Sequence, residues 1–438
     1  MRGKMTALPP PAAAAAPAAG SDNTAGLSDR SLAAILLRLP SPATLARAAA
    51  VSRRWRRVAS SPAFLRLFRR IHPPPLLGFF VCNDGFTVKR VNGVLVGEVL
   101  SPTFFISSPA PRGLTGAVSR CVNFSLESLP NIEHWALADT RDGILLLCDS
   151  FSAHDRLRIP NRFVVCDPVT GRSVLVPDAP IYEVDEESAY LGAALLLTDG
   201  DGDSGGRLSF EVIVVTYFMW GPRLLVFSSR SGWTVHPYAD VGGRFVMPML
   251  GSVGYDMHAN GCVYWVIDDE EHEASEYLMV LDKRTKAFST IKLLSGMRTR
   301  YQGNMRVMRT DSGELRLVAL AGMVLDSWRL DRSRSSRGRW VREVGRGLAC
   351  ADGAMALFAE SDGCKTVIMD AGEGVVFFKH FGSAWVFVLD LDAMVLTPLR
   401  HREKYYFGPA LPYRMALQPP FPVLDSSSAN INLDDELG

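Results

Sequence analysis

Apolar positions recur at helical spacing between residues 27 and 70, whereas from residue 76 onward they fall into short runs separated by turn signals. In the first stretch Leu32, Ile35, Leu36 and Leu39 follow i, i+3, i+4, i+7 and make one stripe. Ala33, Ala34 and Leu37 lie off that stripe, so this helix is apolar nearly all round and calls for burial on more than one side. Ser28 or Asp29 offers a cap at its start, and Pro40 ends it. Ser41-Pro42 opens a second helix with proline in its tolerated early position. "VSRRWRRVASSPAFLRLF" (51–68) supplies a third, with Ser61-Pro62 read as a break. At 100° per residue Val51, Trp55 and Val58 share one face of this helix, and Arg53, Arg56 and Arg57 share another. A surface for stacking bases would interleave aromatic and basic groups. Here they are segregated, as in a packed tryptophan beneath a charged exterior.

A unit of about 45 residues buries too little surface to stand alone without a disulfide, a metal or a partner. This stretch has no cysteine. Its surplus leucines, each contributing about 1.5–3 kcal/mol when fully buried, imply that a second protein completes the core. A small helical bundle packed on the rest of the chain is the other reading.

"IHPPPLLGFF" (71–80) is a proline stop followed by a strand-like run, which places a boundary there. Beyond it short β-rich runs alternate with Asp-Gly, Asn-Gly and Ser-Gly turns, the strongest short hairpin signal. Two elements recur. One is a tight turn into an apolar run: "RDGILLL" (141–147), "ANGCVYWV" (259–266), "DSGELRLVAL" (311–320) and "ADGAMALF" (351–358). The other is a strand reaching a polar corner and then another strand, with corners at Asp167, Ser228, Asp282, Asp331 and Asp390. The corners are spaced roughly 49 to 61 apart, near the ~50-residue period of propeller blades. These five copies, plus room for an earlier blade in 76–135, predict an all-β propeller of about six blades. "YYFGPALPYRMAL" (405–417) is the candidate strand that closes the ring. A pair of β-sandwiches or an irregular all-β domain would fit the same strands.

Charge separates the two parts further. Of 47 basic and 46 acidic residues, twelve basic but only Asp22 and Asp29 fall in 1–72, about +10, which leaves about −9 on the remainder. The seven cysteines are scattered without a CxxC pair, so neither a zinc site nor a disulfide framework is expected, and a reducing compartment is. No run reaches the roughly 18 apolar residues of a membrane span. "MRGKMTALPPPAAAAAPAAG" has its apolar stretch broken by prolines, so residues 1–26 read as a low-complexity, disordered leader rather than a signal peptide, with a plastid transit peptide as a minor alternative. The end of the chain, 418–438, reads as an acidic disordered tail.

Catalytic and metal-binding patterns are missing from the sequence. In "TDGDGDSGG" (198–206) the glycine a calcium loop needs at its sixth position is Ser204 and its twelfth is Phe210, so a loop between strands is expected. "DDEEHE" (268–273) reads as a solvated hairpin tip. "RSRSSRGR" (332–339) reads as an exposed loop, or as a contact for an acidic or phosphorylated partner. Nucleophile elbows, zinc-protease helices and phosphate-binding glycine loops do not occur. No catalytic residue, cofactor or metal is therefore expected.

The helical stretch resembles an F-box. The matching residues are Leu27, Leu32, Ile35, Leu36, Leu39, Pro40, Leu45, Val51, Trp55, Pro62 and Phe64, with Ser28 where the family usually has proline. The order "DGILLL … VCDPVT", Asp142 to Leu147 and Val165 to Thr170, is similar to the F-box-associated, kelch-like propellers of plants, although the kelch double glycine and the WD signature are absent. The resemblance implies a small three-helix all-α F-box (27–70), a linker (71–75) and a β-propeller (76–417). It further implies a non-catalytic substrate receptor of a Skp-adaptor/cullin/F-box ubiquitin ligase, which binds the acidic adaptor and recruits a target protein through the propeller. The adaptor-binding set it implies is Leu27, Ser28, Leu32, Ile35, Leu36, Leu39, Pro40, Leu45, Val51 and Trp55. Nucleus or cytoplasm, or both, is the expected location, with no membrane partner. Two rivals are a nucleic-acid-binding regulator using Arg53, Arg54, Arg56 and Arg57, which the segregated faces make the weaker reading, and a propeller enzyme with converging carboxylates in its channel.

Overall fold

The computed structural model describes residues 26–72, 74–81, 87–91, 94–98, 103–107, 124, 126, 129, 135–149, 159–198, 209–243, 245–246, 256–269, 276–301, 304–310, 313–322, 324–333, 338–347, 349–350, 366–372, 374–380, 386–391, 394–399 and 410–415. The expected leader (save Gly26), the expected tail and the turn-and-strand copy at 351–358 lie outside them. The chain divides into two units between His72 and Pro73.

The first unit has four helices: α1 (Asp29–Leu36), α2 (Pro42–Ala49), α3 (Arg53–Ala59) and α4 (Pro62–Ile71). Each starts the same way. The side chains of Ser28, Ser41, Ser52 and Ser61 accept a hydrogen bond from the backbone N–H three residues on, satisfying a donor the helix leaves free. The fourth helix extends the three-helix expectation. Ser61-Pro62 does end α3, but the same pair is also a cap followed by proline at the first helical position, so it opens α4. Leu32, Leu36, Leu45, Val58, Phe64, Leu65 and Phe68 form the buried interior.

The second unit is a six-bladed β-propeller whose strands pair antiparallel, apart from one short parallel pair between Ala349–Cys350 and Val395–Leu396. Blade I joins β1 (Leu76–Val81) and β4 (Phe104–Ser107) to the last strand, β27 (Ala410–Arg414). A separate hairpin, β2 (Thr87–Val91) and β3 (Val94–Glu98), lies between them in sequence. Blade II is β5 (Trp135–Arg141), β6 (Ile144–Asp149), β7 (Phe163–Asp167) and β8 (Arg172–Val176). Blade III is β9 (Ala189–Thr198), β10 (Ser209–Phe218), β11 (Gly221–Ser228) and β12 (Gly232–Val235). Blade IV is β13 (Phe245–Val246), β14 (Met257–Ala259), β15 (Cys262–Asp269), β16 (Glu276–Asp282) and β17 (Phe288–Lys292). A short helix, α5 (Met297–Tyr301), leads to blade V: β18 (Met305–Arg309), β19 (Leu315–Ala321), β20 (Val324–Asp331) and β21 (Arg339–Gly347). Blade VI is β22 (Ala349–Cys350), β23 (Thr366–Gly372), β24 (Val375–His380), β25 (Val386–Asp390) and β26 (Val395–Leu399).

Six apolar clusters fill the six spaces between neighbouring blades, including the one between VI and I that closes the ring. Inner strands are therefore buried on both faces. On β10, Val212 and Val214 pack toward blade II while Ile213 and Val215 pack toward blade IV. That explains why "FEVIVV" is nearly continuous rather than alternating. Closure comes from β27, which pairs antiparallel with β1 from Leu76↔Arg414 to Val81↔Ala410. It falls within the stretch expected to close the ring.

The recurring polar corner has a direct cause. Asp167, Asp282 and Asp331 each accept a hydrogen bond from the backbone N–H two residues on, at 2.9, 2.8 and 2.8 Å, and Ser228 does so at 3.3 Å. Each side chain folds the turn between the third and fourth main strands of its blade. The Asp142-Gly143 and Asn260-Gly261 turns have positive φ throughout, 48° and 86°, then 52° and 75°, as two-residue hairpins require. Strict antiparallel alternation puts these turns and the polar corners at one end of the ring, where β1 begins. The turns between second and third strands, and the crossings between blades, lie at the other end.

Tryptophans tie adjacent blades. Trp233 on β12 donates to the Pro177 carbonyl just past β8 at 2.7 Å, and Trp340 on β21 donates to Lys292 at the end of β17 at 2.9 Å. Trp340→Phe is expected to lower stability by about 1 kcal/mol, the net worth of one such bond. Urea unfolding should show an earlier midpoint with an unchanged slope.

Candidate functional site

The helical unit carries most of the residues singled out from the sequence, and the structure splits them. Leu32, Leu36 and Leu45 are in the unit's own interior. In the chain by itself they lie beneath its surface. The reason is geometric: α1 stops at Leu36, and Leu32 and Leu36 are one turn apart on its inward side. Ile35 faces outward at 46% exposure, and Val51, in the turn before α3, at 65%. Leu27, Leu39 and Trp55 are half-buried, while Ser28 and Pro40 are exposed. Ser28 has a structural task of its own as the cap of α1, accepting from Ser31 N–H at 3.1 Å.

Two apolar residues on α4 join this exposed set, Leu67 at 43% and Ile71 at 52%. They stand one helical turn apart on one face, a signal already present in "AFLRLFRRI". His72, just beyond α4, contacts the Leu37 carbonyl through Nε2 at 3.0 Å. The ends of α1 and α4 therefore meet, and exposed Ile35 and Ile71 each lie within two residues of that junction.

The arginines do not act as one free clamp. Arg54 donates to Asp29 at 2.9 Å and to the Leu27 carbonyl, and Arg57 reaches the other Asp29 oxygen at 3.1 Å. The Arg54 hydrogen bond, joined by Arg57, holds the Asp29 carboxyl below its ordinary value against the opposing effect of desolvation. These contacts staple the start of α1 to α3. Arg53 and Arg56 remain on the exposed surface.

In the propeller the structure assembles a polar group that the sequence does not announce. Asp139 on β5 accepts from Thr140 N–H at 2.7 Å and from Leu195 N–H on β9 at 2.8 Å. Lys283, in the turn after β16, reaches Asp139 at 3.5 Å. His258 on β14 lies between Asp139, 3.4 Å from Nδ1, and Asp256, 3.0 Å from Nε2. The Nδ1 contact is an electrostatic approach rather than an aligned hydrogen bond. Burial works against the Asp139 charge, but His258 and Lys283 outweigh it and hold the carboxyl below its usual range. Burial likewise disfavours charged His258, and the Asp139 and Asp256 carboxylates overcome it and raise the imidazole. Asp139 and Lys283 are both buried, so these groups bond blades II, III and IV to one another. Carboxylates do converge here, as the propeller-enzyme reading requires, but the Asp139 oxygens are occupied by backbone N–H groups. Among the described residues no cluster of His, Cys, Asp or Glu is arranged to hold a metal, and no helix is long and apolar enough to cross a membrane.

A four-helix unit with capped, leucine-rich helices, joined to a six-bladed ring, defines an F-box protein with a C-terminal propeller. The family model described as "F-box protein AT5G49610-like, beta-propeller" matches residues 136–421, and an F-box-like model matches 29–72. The chain belongs to the family of F-box proteins with an AT5G49610-like beta-propeller. Similar solved structures include a protein from Lactobacillus plantarum (10% identity, TM-score 0.31, covering 74% of this chain and 82% of that one). A six-bladed β-propeller lectin from Aleuria aurantia, described with a fucose recognition mode, is 11% identical, TM-score 0.32, covering 64% and 81%. The Cps50 (Swd1) β-propeller domain of Myceliophteria thermophila is 12% identical, TM-score 0.27, covering 66% and 87%. No curated protein matches the chain.

Proposed function

We propose that the chain is the substrate-receptor subunit of a Skp-adaptor/cullin/F-box ubiquitin ligase. The helical unit docks on the acidic adaptor, the propeller presents a target protein, and the ligase's other subunits carry out the chemistry. The contribution of this chain is then proximity rather than catalysis. The observation that carries the reading is the exposed apolar set on the F-box, Ile35, Val51, Leu67 and Ile71, on a stretch rich in arginine. Exposed apolar side chains beside basic ones fit an acidic partner both by burial and by electrostatic steering. The internal contacts of Arg54 and Arg57 weigh against a nucleic-acid clamp.

Capture of a purified Skp-type adaptor by the full chain tests this. Ile35→Asp and Val51→Asp are expected to weaken capture at least about tenfold, as for a central interface residue, without lowering the melting temperature. Leu36→Asp is not a clean test, because it introduces a charge into the unit's interior. Undiminished capture by both surface variants would contradict the proposed interface.

A further inference from the structure

Among the described residues of the propeller, the most exposed large apolar side chains are Tyr182 at 84%, Met219 at 72% and Trp220 at 66%. All three lie at blade III, at the end of the ring opposite the start of β1. Tyr182 is in the crossing from β8 to β9, and Met219-Trp220 is the turn between β10 and β11. Three segments converge there. Arg223 donates to the Glu183 carbonyl at 2.8 Å and to the His236 carbonyl at 2.9 Å, and its guanidinium lies over the Tyr238 ring at 5.0 Å. The Tyr238 hydroxyl donates to Asp185, and Ala239 N–H to the Pro222 carbonyl at 2.8 Å. Ala189 on β9 faces Tyr217 on β10, so the chain leading into β9 runs beside the Met219 turn. Trp220 is three residues from Arg223, and Tyr182 adjoins Glu183, whose carbonyl accepts from Arg223, so the contacts of Arg223 join the two segments that carry these rings.

Among the described residues the exposed charged side chains of this rim have one sign. Glu183, Asp185, Glu186, Glu187 and Asp240 are exposed, whereas Arg223 is engaged in the internal contacts just described. Rings and a thioether held out by a rigid frame suit an interface. The acidic rim determines what fits: anionic segments are repelled and cationic ones attracted. A lysine or arginine head also gains from the face of an exposed tyrosine or tryptophan.

We infer that this end of blade III is the target-holding surface, and that it takes a segment in which lysine or arginine flanks an apolar side chain. The inference rests on the receptor reading above and names the partner chemistry of the propeller. The apolar anchor packs on Met219 and Trp220 while the basic groups lie over Tyr182 and against the acidic rim.

Selection of random peptides displayed on phage against the immobilised full chain tests this, followed by fluorescence anisotropy of the selected peptides. They should be enriched in lysine or arginine beside leucine, methionine or an aromatic residue. Their affinity should fall at least about tenfold in Trp220→Ala, in Tyr182→Ala and in the Glu186→Lys, Glu187→Lys double variant, at unchanged melting temperature. Leu175→Ala, exposed on β8, should bind as the parent does. Trp220 is solvent-exposed in a turn, so a loss seen only in a variant whose melting temperature has dropped does not replace the Trp220→Ala result. Acidic selected peptides, equal binding by the parent and Trp220→Ala, or no enrichment at all would each overturn the inference. Adaptor capture measured on the same proteins separates the two claims. Peptide binding that fails with adaptor capture intact overturns this surface alone, and adaptor capture that fails with peptide binding intact overturns only the receptor reading.

Discussion

Replacing Asp139 by leucine is expected to destabilise the propeller by about 3–5 kcal/mol, the cost of leaving a buried charge without its partner. The substitution removes the acceptor for Thr140 and Leu195 N–H and strips Lys283 and His258 of their shared anion. Blades II, III and IV lose a common tie at once, so the effect should exceed that of any single surface ion pair. The pH dependence follows from the two shifted groups. Asp139 sits below its ordinary 3.8, so its contribution is complete above that value and is lost as acid carries the pH through the lower folded value. His258 sits above its ordinary 6.5, so its contribution is complete below 6.5 and is lost as the pH rises through the higher folded value. Stability should therefore decline on both sides of a mildly acidic maximum, and His258→Gln should remove the decline on the alkaline side. Urea unfolding across pH checks both limbs; an alkaline limb that survives in His258→Gln would show that another group causes it.

Removing residues 405–438 is expected to abolish cooperative thermal unfolding, while ending the chain after residue 417 should preserve it. The first truncation deletes β27, the partner of β1 and the innermost strand of blade I. Tyr413 is fully buried, its hydroxyl donates to the Gly143 carbonyl at 3.1 Å, and its ring meets Phe80 and Phe124 at 5.2 and 5.5 Å. Loss of one large buried aromatic side chain costs about 3–5 kcal/mol, and here the pairing of β1 goes as well. Together these approach the roughly 5–15 kcal/mol that holds an ordinary domain folded. Differential scanning calorimetry of the two truncations distinguishes the outcomes. A normal transition without β27 would mean that the ring does not depend on this strand for closure.

What was legible in the sequence is what local chemistry fixes. The serines at 28 and 41 mark the first two helix starts, and the side-chain turns at Asp167, Ser228, Asp282 and Asp331 impose the blade period that the strands alone would not reveal. The apolar stripe of α1 was legible only in part. Its period ceases to apply after Leu36, so Leu39 lies beyond the helix and Ile35 turns outward while its neighbour turns in. The fourth helix was obscured because Ser-Pro is both a stop and a start. Long-range pairings left no local trace: Arg54 meets Asp29, and Asp139 meets His258 and Lys283, only once the chain has folded. The acidic residue inside the apolar run "WALADTR" was the one available hint. Tyr182 and Trp220 gave none, since exposure of an aromatic residue depends on which end of the ring its turn occupies.

Isothermal titration of the full chain with a purified Skp-type adaptor tests the central claim most directly. One-to-one binding is expected, which Ile35→Asp and Val51→Asp weaken together and Trp220→Ala leaves unchanged. Absence of binding, or equal binding by residues 73–438 alone, would contradict it.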